Sequence, residues 1–164
     1  MTFTSNHDEN SWQGTEFERM GDAANACAVL CFTLPGSQPL IYTGQEIGLD
    51  RRLAFFEKDP ITDWSENAYT VFYKKLVQLK HSHPALNAGE KGGVYSEIEA
   101  PEGVYAFSRE KEGDKVVVVV NFNDTDSSVT LDLDGNYNEL FSGESLNGSI
   151  SKTLSPGGYL VLCK

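Results

Sequence analysis

The sequence predicts an α+β chain in two unlike parts. Residues 1–88 alternate short extended runs with helical patterns, whereas residues 89–164 contain only short strands and polar turns. Between them lies Asn87-Ala-Gly-Glu-Lys-Gly-Gly93, a glycine-rich break after His83-Pro84. The first part reads as strand, helix, strand, long loop, helix, an order that implies parallel strands with helices packed outside them. The second reads as a small antiparallel β-sandwich.

Thr2–Thr4 is the end of the first extended run. Thr15-Glu-Phe-Glu18 then has the form of a capping box, in which the threonine hydroxyl and the glutamate carboxylate satisfy each other's backbone N–H groups. Apolar or small residues follow at Phe17, Met20, Ala24, Cys27, Cys31 and Leu34. This spacing predicts one helix from Thr15 to Pro35-Gly36, buried on more than one side because residues 26–32 are apolar all round. Gln38–Thr43 is a short apolar strand closed by Gly44. A second capping box is expected at Asp63 and Glu66, ahead of a helix whose core face is Tyr69, Phe72, Tyr73, Leu76 and Leu79 and which stops before Pro84.

In the second part seven strands are expected: Val94–Ile98, Val104–Glu110, Lys115–Phe122, Ser128–Leu133, Tyr137–Phe141, Ser149–Leu154 and Tyr159–Cys163. Glu112-Gly113-Asp114 and Asp134-Gly135-Asn136 read as turns. Val116–Val120 is continuously apolar and belongs in a central strand covered on both faces. The carboxylates Asp124, Asp126, Asp132 and Asp134 read as solvated turn residues.

The 164 residues carry 13 Lys and Arg against 24 Asp and Glu, a net charge of −11. That balance argues against nucleic-acid and anionic-membrane partners, which need clustered cations. The longest apolar run, Ala26–Phe32, is far short of the ~20 residues of a membrane span. The first residues contain neither a basic region nor an apolar signal core, so by itself the chain reads as cytoplasmic; a signal peptide ahead of a longer parent would change this. Three cysteines do not make a disulfide framework. Cys27 and Cys31 read as small core residues, and His81 and His83 as solvated ends of a helix. No metal site is expected.

Two parallel strands with two outer helices do not complete a domain, because such sheets are covered on both faces and continue to further strands. Residues 1–88 therefore read as the last quarter of something larger, and their unpaired edges predict self-association.

Polar residues follow directly on both strands. Asn6-His7-Asp8-Glu9-Asn10 is either part of an active site at the C-terminal end of a parallel strand or a solvated loop with Asp8 in a local turn. Glu46 either shares the face of Asp8, as one of two carboxylates fit for acid–base work, or pairs with Arg51 or Arg52. Trp12 follows the first strand end and is a candidate platform for a sugar ring. Trp64 reads as helix packing.

Phe3-Thr-Ser-Asn-His-Asp8, Pro39-Leu-Ile-Tyr-Thr-Gly-Gln-Glu46 and Phe72–Lys80 with His83-Pro-Ala-Leu86 resemble the alpha-amylase family of glycoside hydrolases, at the seventh and eighth strand–helix units of its eightfold barrel. Ala106-Phe-Ser-Arg109, Val116–Phe122 and Pro156-Gly-Gly-Tyr-Leu-Val161 resemble the sandwich that follows that barrel. The resemblance implies a partial (β/α) barrel segment over 1–88 and the C-terminal all-β domain over 89–164. It implies that Asp8 is the carboxylate that stabilises the oxocarbenium-like transition state, and that His7 hydrogen-bonds the sugar at the cleavage point. Asn6, Glu46 as a site-supporting residue and Trp12 as the candidate sugar platform are expected to complete the substrate-binding set. It implies alpha-glucan oligosaccharides as substrate and the earlier barrel strands as partner. No cofactor is expected; a calcium site, where the family has one, belongs outside this segment. The family's nucleophile and acid/base sit on the fourth and fifth strands, to which nothing here corresponds. The expectation is thus part of a retaining alpha-glucan hydrolase or transglycosylase that is inactive alone, with a stand-alone glycan-binding or structural module as the alternative.

Overall fold

The computed structural model describes residues 1–164, and its architecture follows from how the valine run of the second part is covered. Six strands form one antiparallel sheet in the order β1-β2-β3-β6-β4-β5. They are β1 (Val94–Glu97), β2 (Val104–Lys111), β3 (Asp114–Asn121), β4 (Ser127–Glu139), β5 (Ser145–Leu154) and β6 (Tyr159–Cys163). Alternation along β3 sends Val116, Val118 and Val120 to one face and Val117 and Val119 to the other, and all five are buried. Burying each contributes about 1.5–3 kcal/mol.

The first face is covered by helices. Val116, Val118, Val120, Phe107 and Val161 share a core with α2 (Ala24–Thr33) and α3 (Ala68–Ser82), through Val29, Phe32, Phe72, Leu76 and Leu79. The second face is covered by the sheet itself: β4 and β5 fold over Val117 and Val119, burying Val129, Leu131, Tyr137, Leu146 and Leu154. The strands are six, not the seven expected. Asp134-Gly135-Asn136, expected to be a turn, lies inside β4, where the pairing with β5 shifts register between Leu133 and Tyr137. Beyond that shift β4 pairs with β6 through Asn138 and Glu139. The bulge lets one long strand serve both layers, and no local sequence signal separates such a bulge from a turn.

In the first part the two extended runs meet in a single parallel bridge, Thr2 to Pro39. The Thr2 amide donates to the Gln38 carbonyl and the Leu40 amide to the Thr2 carbonyl, at 2.9 and 2.8 Å. The direction is the expected one, but neither run has a second neighbour to extend the ladder. The helix expected from Thr15 to Pro35 is broken. Thr15 and Glu18 form the predicted capping box of α1 (Glu16–Met20), and a short 3₁₀ turn, Gly21–Ala23, then leads into α2. Gly21, at φ 53° and ψ −132°, adopts a backbone closed to helices and suited to glycine. The second capping box also lies elsewhere than expected. Asn67 caps α3, its Oδ1 accepting from the Tyr69 amide at 2.8 Å while Thr70 Oγ1 accepts from the Asn67 amide at 3.1 Å. Asp63 instead caps Ser65, and Glu66 pairs with Lys74.

Polar contacts tie the helices to the sheet. Arg109, 1% exposed, has no carboxylate partner. Its guanidinium donates to the Thr33 carbonyl at the C-terminal end of α2 (3.1 Å) and to the Gly93 carbonyl (3.2 Å), where the helix dipole favours a cation. Lys80 donates to the Ser37 carbonyl at 2.8 Å. Burial, with Arg109 nearby, pulls its amine down to about 8. Contrary to expectation His83 is not solvated: its Nδ1 lies 2.6 Å from Asp114 Oδ1, and the Ala85 amide donates to Asp114 Oδ2 at 2.7 Å, joining the end of α3 to the start of β3. The glycines of the Gly92-Gly93 pair permit close passage. A Cβ on Gly92 would lie 2.3 Å from the Asn87 carbonyl oxygen, and one on Gly93 2.5 Å from that of Glu110.

Leu76 is fully buried in the core shared by helices and sheet. Leu76→Ala should cost about 2–5 kcal/mol and lower amide-exchange protection at Val116, Val118 and Val120 as well as in α3. Undiminished protection in β3 would show instead that the sheet is stable independently of the helices.

Candidate active site

The candidate residues sit where the two extended segments end. Thr4 and Ser5 are buried, and the chain then turns outward. Asn6 makes the turn, its Oδ1 accepting from the Glu9 amide at 2.8 Å. His7 and Asp8 are left exposed side by side, with His7 Nε2 3.5 Å from Asp8 Oδ2. A one-turn π-helix, Glu9–Gln13, follows and is closed by Gly14 at φ 124°. Arg19 steadies it from α1, pairing with Glu9 at 3.4 Å and donating to the carbonyls of Gly14 and Thr4.

Two side chains of this turn hold a distant loop. Asn10 is buried; its Oδ1 accepts from the Leu53 amide at 2.7 Å and its Nδ2 donates to the Arg51 carbonyl at 3.2 Å. Ser11 Oγ donates to the Leu53 carbonyl at 2.8 Å. The staple brings Phe55 against His7, with ring centroids 5.7 Å apart, and against Trp12 at 5.2 Å. Phe56 packs edge-on against Phe55 at 4.7 Å. Trp12 and Phe56 remain 56% and 81% exposed, so an open aromatic surface lies beside His7, the neighbour of Asp8. Phe55 and Phe56 were not candidates from the sequence. The amide of Asn10 is what brings them here, and an Asn in a polar loop carries no sign of a contact 43 residues away.

The second segment end carries buried polar chemistry. Gly44, at φ 90°, opens the turn. Gln45 accepts from the Tyr42 amide at 2.6 Å and donates to Thr4 Oγ1 at 2.7 Å, to Glu16 Oε2, and more weakly to the Tyr73 hydroxyl at 3.2 Å. Burial raises the Glu16 carboxyl above its ordinary 4.5, against the lowering pull of Gln45 and Arg19. Burial, and then the Glu16 charge, also push the Tyr73 phenol up. Glu46 is held by its backbone, its carbonyl accepting from Thr70 Oγ1 of α3 at 2.9 Å. Arg51 and Arg52 do not pair with it: they bind Asp59 and Glu18. No hydrogen bond or ion pair joins Glu46 to Asp8, His7 or Trp12. The two buried side-chain oxygens without a partner, Ser5 Oγ and Glu46 Oε2, lie at the two segment ends. Cys27 and Cys31 are half-buried, with burial raising both thiols. No group of acidic, histidine or cysteine residues fits a metal, and no helix is long and apolar enough to cross a membrane.

The chain resembles known proteins in sequence and in fold. Residues 95–159 match the family described as the alpha amylase C-terminal all-beta domain. Alpha-amylase MalA of Haloarcula japonica is 34% identical over 148 residues, covering 88% of this chain and 21% of MalA. This chain belongs to the alpha-amylase family and resembles the C-terminal region of its members. Alpha-amylase 2 of Dictyoglomus thermophilum is 26% identical over 163 residues, covering 92% of the chain and 27% of that protein. The fold is that of the maltogenic alpha-amylase AmyB from Thermotoga neapolitana, with a TM-score of 0.77 at 20% identity over 100% of this chain and 41% of AmyB. The chain thus spans 21% and 27% of the two alpha-amylases it matches in sequence.

Two outcomes test this geometry. Asn10→Ala should cost about 1–3 kcal/mol, because it leaves the Leu53 amide without a partner. In a Trp64→Phe background it should also red-shift Trp12 emission as Phe55 moves away. For Glu16, a raised carboxyl pKa means that the folded state holds the proton more tightly than the unfolded chain. Its stabilising contribution is present below the unfolded value and is lost as pH rises through the folded one. Glu16→Gln, which keeps the neutral shape, should therefore raise the urea midpoint at pH 7 and change it little near pH 4.

Proposed function

We propose that this chain is the C-terminal part of a retaining alpha-glucan hydrolase or transglycosylase, and that Asp8 is its transition-state-stabilising carboxylate. The observation that carries the reading is the exposed His7–Asp8 pair beside the aromatic surface of Trp12, Phe55 and Phe56. Positive charge develops on a sugar ring during glycosidic cleavage, and a fixed anion next to that ring acts most strongly in the transition state. Trp12 offers a flat apolar face to the sugar, and His7 a ring nitrogen to its hydroxyls. Asn6 sets the turn that presents both. Glu46 supports the site from the second segment end.

The site residues do not supply a full retaining mechanism, which needs a nucleophile and an acid/base about 5–5.5 Å apart. Glu9 is paired with Arg19, and one oxygen of Glu46 is buried while Asp8 stands in solvent. In this reading the missing carboxylates come from the rest of the barrel, whose strands extend the edges at Thr2–Thr4 and Gln38–Thr43. The orphan oxygens of Ser5 and Glu46 fit that reading, since a buried polar atom without a partner calls for one from elsewhere. Without those strands, a second copy of the chain is the expected occupant of the edges. The open aromatic surface equally suits glycan binding without chemistry, which is the second reading.

Purified chain should release no reducing sugar from starch, maltooligosaccharides or pullulan; release abolished by Asp8→Ala would refute the assignment of the missing groups. In the complete enzyme, Asp8→Asn should lower kcat by about 10²–10³-fold, corresponding to about 2.7–4 kcal/mol, with little change in KM. Near-normal turnover with only a raised KM would favour the binding reading.

A further inference from the structure

One polar cavity lined by the sheet lies away from Asp8, on the face opposite α2 and α3. It has a volume of 490 Å³ and opens between β2, β3 and the bulged part of β4. The register shift between Leu133 and Tyr137 takes Asp134–Asn136 out of the ladder and opens the space. A charged network then holds the bulge in place. Lys115 Nζ lies 3.1 Å from Asp134 Oδ2 and 3.3 Å from Glu110 Oε2. The Tyr137 hydroxyl donates to Asp134 Oδ1 at 2.5 Å, and Lys164 approaches the same carboxylate at 3.4 Å. Asp134 therefore lies in a strand bulge and not in a turn, and it stays exposed as its sequence context suggested.

We propose that this cavity binds a neutral polyhydroxylated ligand, a sugar unit, at a site separate from Asp8. Three observations carry the inference. Ser108 is only 6% exposed and lines the cavity, yet its hydroxyl has no partner among the chain's hydrogen bonds. That oxygen is not among the fully buried atoms of the chain, so it stays open to the cavity and free to donate to or accept from a ligand. The charges exclude an anion: Glu99, Asp132 and Asp134 line the cavity against the single cation Lys115. The walls are mixed, with Ile98, Val117 and Leu131 offering aliphatic surface between these polar groups. A sugar ring presents the complement, hydroxyls at its edge and C–H groups on its faces, and the volume lies within the range of small-ligand pockets.

Amide-resolved NMR titration of the whole chain with maltose tests the proposal. Saturable shifts are expected at Ser108, Lys115 and Leu131, unchanged in Asp8→Asn, which separates this site from the first. Ser108→Val should weaken them about tenfold, the equivalent of one hydrogen bond, while amide protection of Val116–Val120 stays intact. If Ser108→Val loses that protection, Thr130→Ala at the exposed rim carries the test and must weaken binding several-fold. Absence of shifts at these amides at millimolar maltose, shifts produced by sulfate instead, or full binding by the folded variants would each overturn the proposal.

Discussion

A strand with no polar side must be covered twice, and Val116–Val120 imposes that requirement on everything around it. One cover is local to the second part of the chain: β4 and β5 fold back over Val117 and Val119. The other comes from the first part, because no remaining strand can reach Val116, Val118 and Val120, and α2 and α3 fill that face. The helices are consequently part of the sheet's own core. Arg109 and the His83–Asp114 contact lie along the same junction and fix its geometry. A guanidinium buried without a carboxylate is tolerated there because the carbonyl end of α2 supplies the negative potential.

That junction is what sets the candidate site. α3 packs on the sheet and, through Tyr73 and Thr70, meets the segment end at Gln45 and Glu46. Gln45 in turn binds Thr4 and Glu16, so the segment that leads to His7 and Asp8 is anchored before it reaches solvent. The region divides into a buried polar base (Thr4, Glu16, Gln45 and Tyr73) and an open candidate surface (His7, Asp8, Trp12, Phe55 and Phe56). Only the base needs satisfied hydrogen bonds to be stable. The surface is free to hold an open carboxylate and open aromatic rings, at little cost where water still solvates the charge.

The net charge of −11 bears on both surfaces. At the cavity by Ser108 three carboxylates face one lysine, and around the Asp8 turn Arg19, Arg51 and Arg52 are each paired with a carboxylate. They differ in construction. The first rests on aromatic rings brought together by Asn10 across a long loop, and the second on a strand bulge held by Lys115 and Asp134.

The sequence by itself determined the elements whose causes are local. The Thr15–Glu18 capping box, the stop of α3 before Pro84, the alternation that buries Val116–Val120 on both sides and the His-Asp pair after an extended segment were all legible. In each case the responsible groups lie within a few residues of one another. The family resemblance was legible for the same reason, its motifs being short and contiguous. Tertiary structure decided the rest. The helix from Thr15 breaks at Gly21 although its apolar spacing continues, because periodicity does not record a positive φ. Asn67 displaced Asp63 as a cap by also donating to the Ile47 carbonyl of a distant turn. Asp134-Gly135-Asn136 became a bulge because β4 must serve two layers of one sheet. Phe55 and Phe56 joined the candidate site through Asn10, and the bulged part of β4 came to line the cavity beside Ser108. In every one of these the deciding partner is remote in sequence, and a hydrogen bond or steric demand made at long range leaves no periodic trace in the chain that makes it.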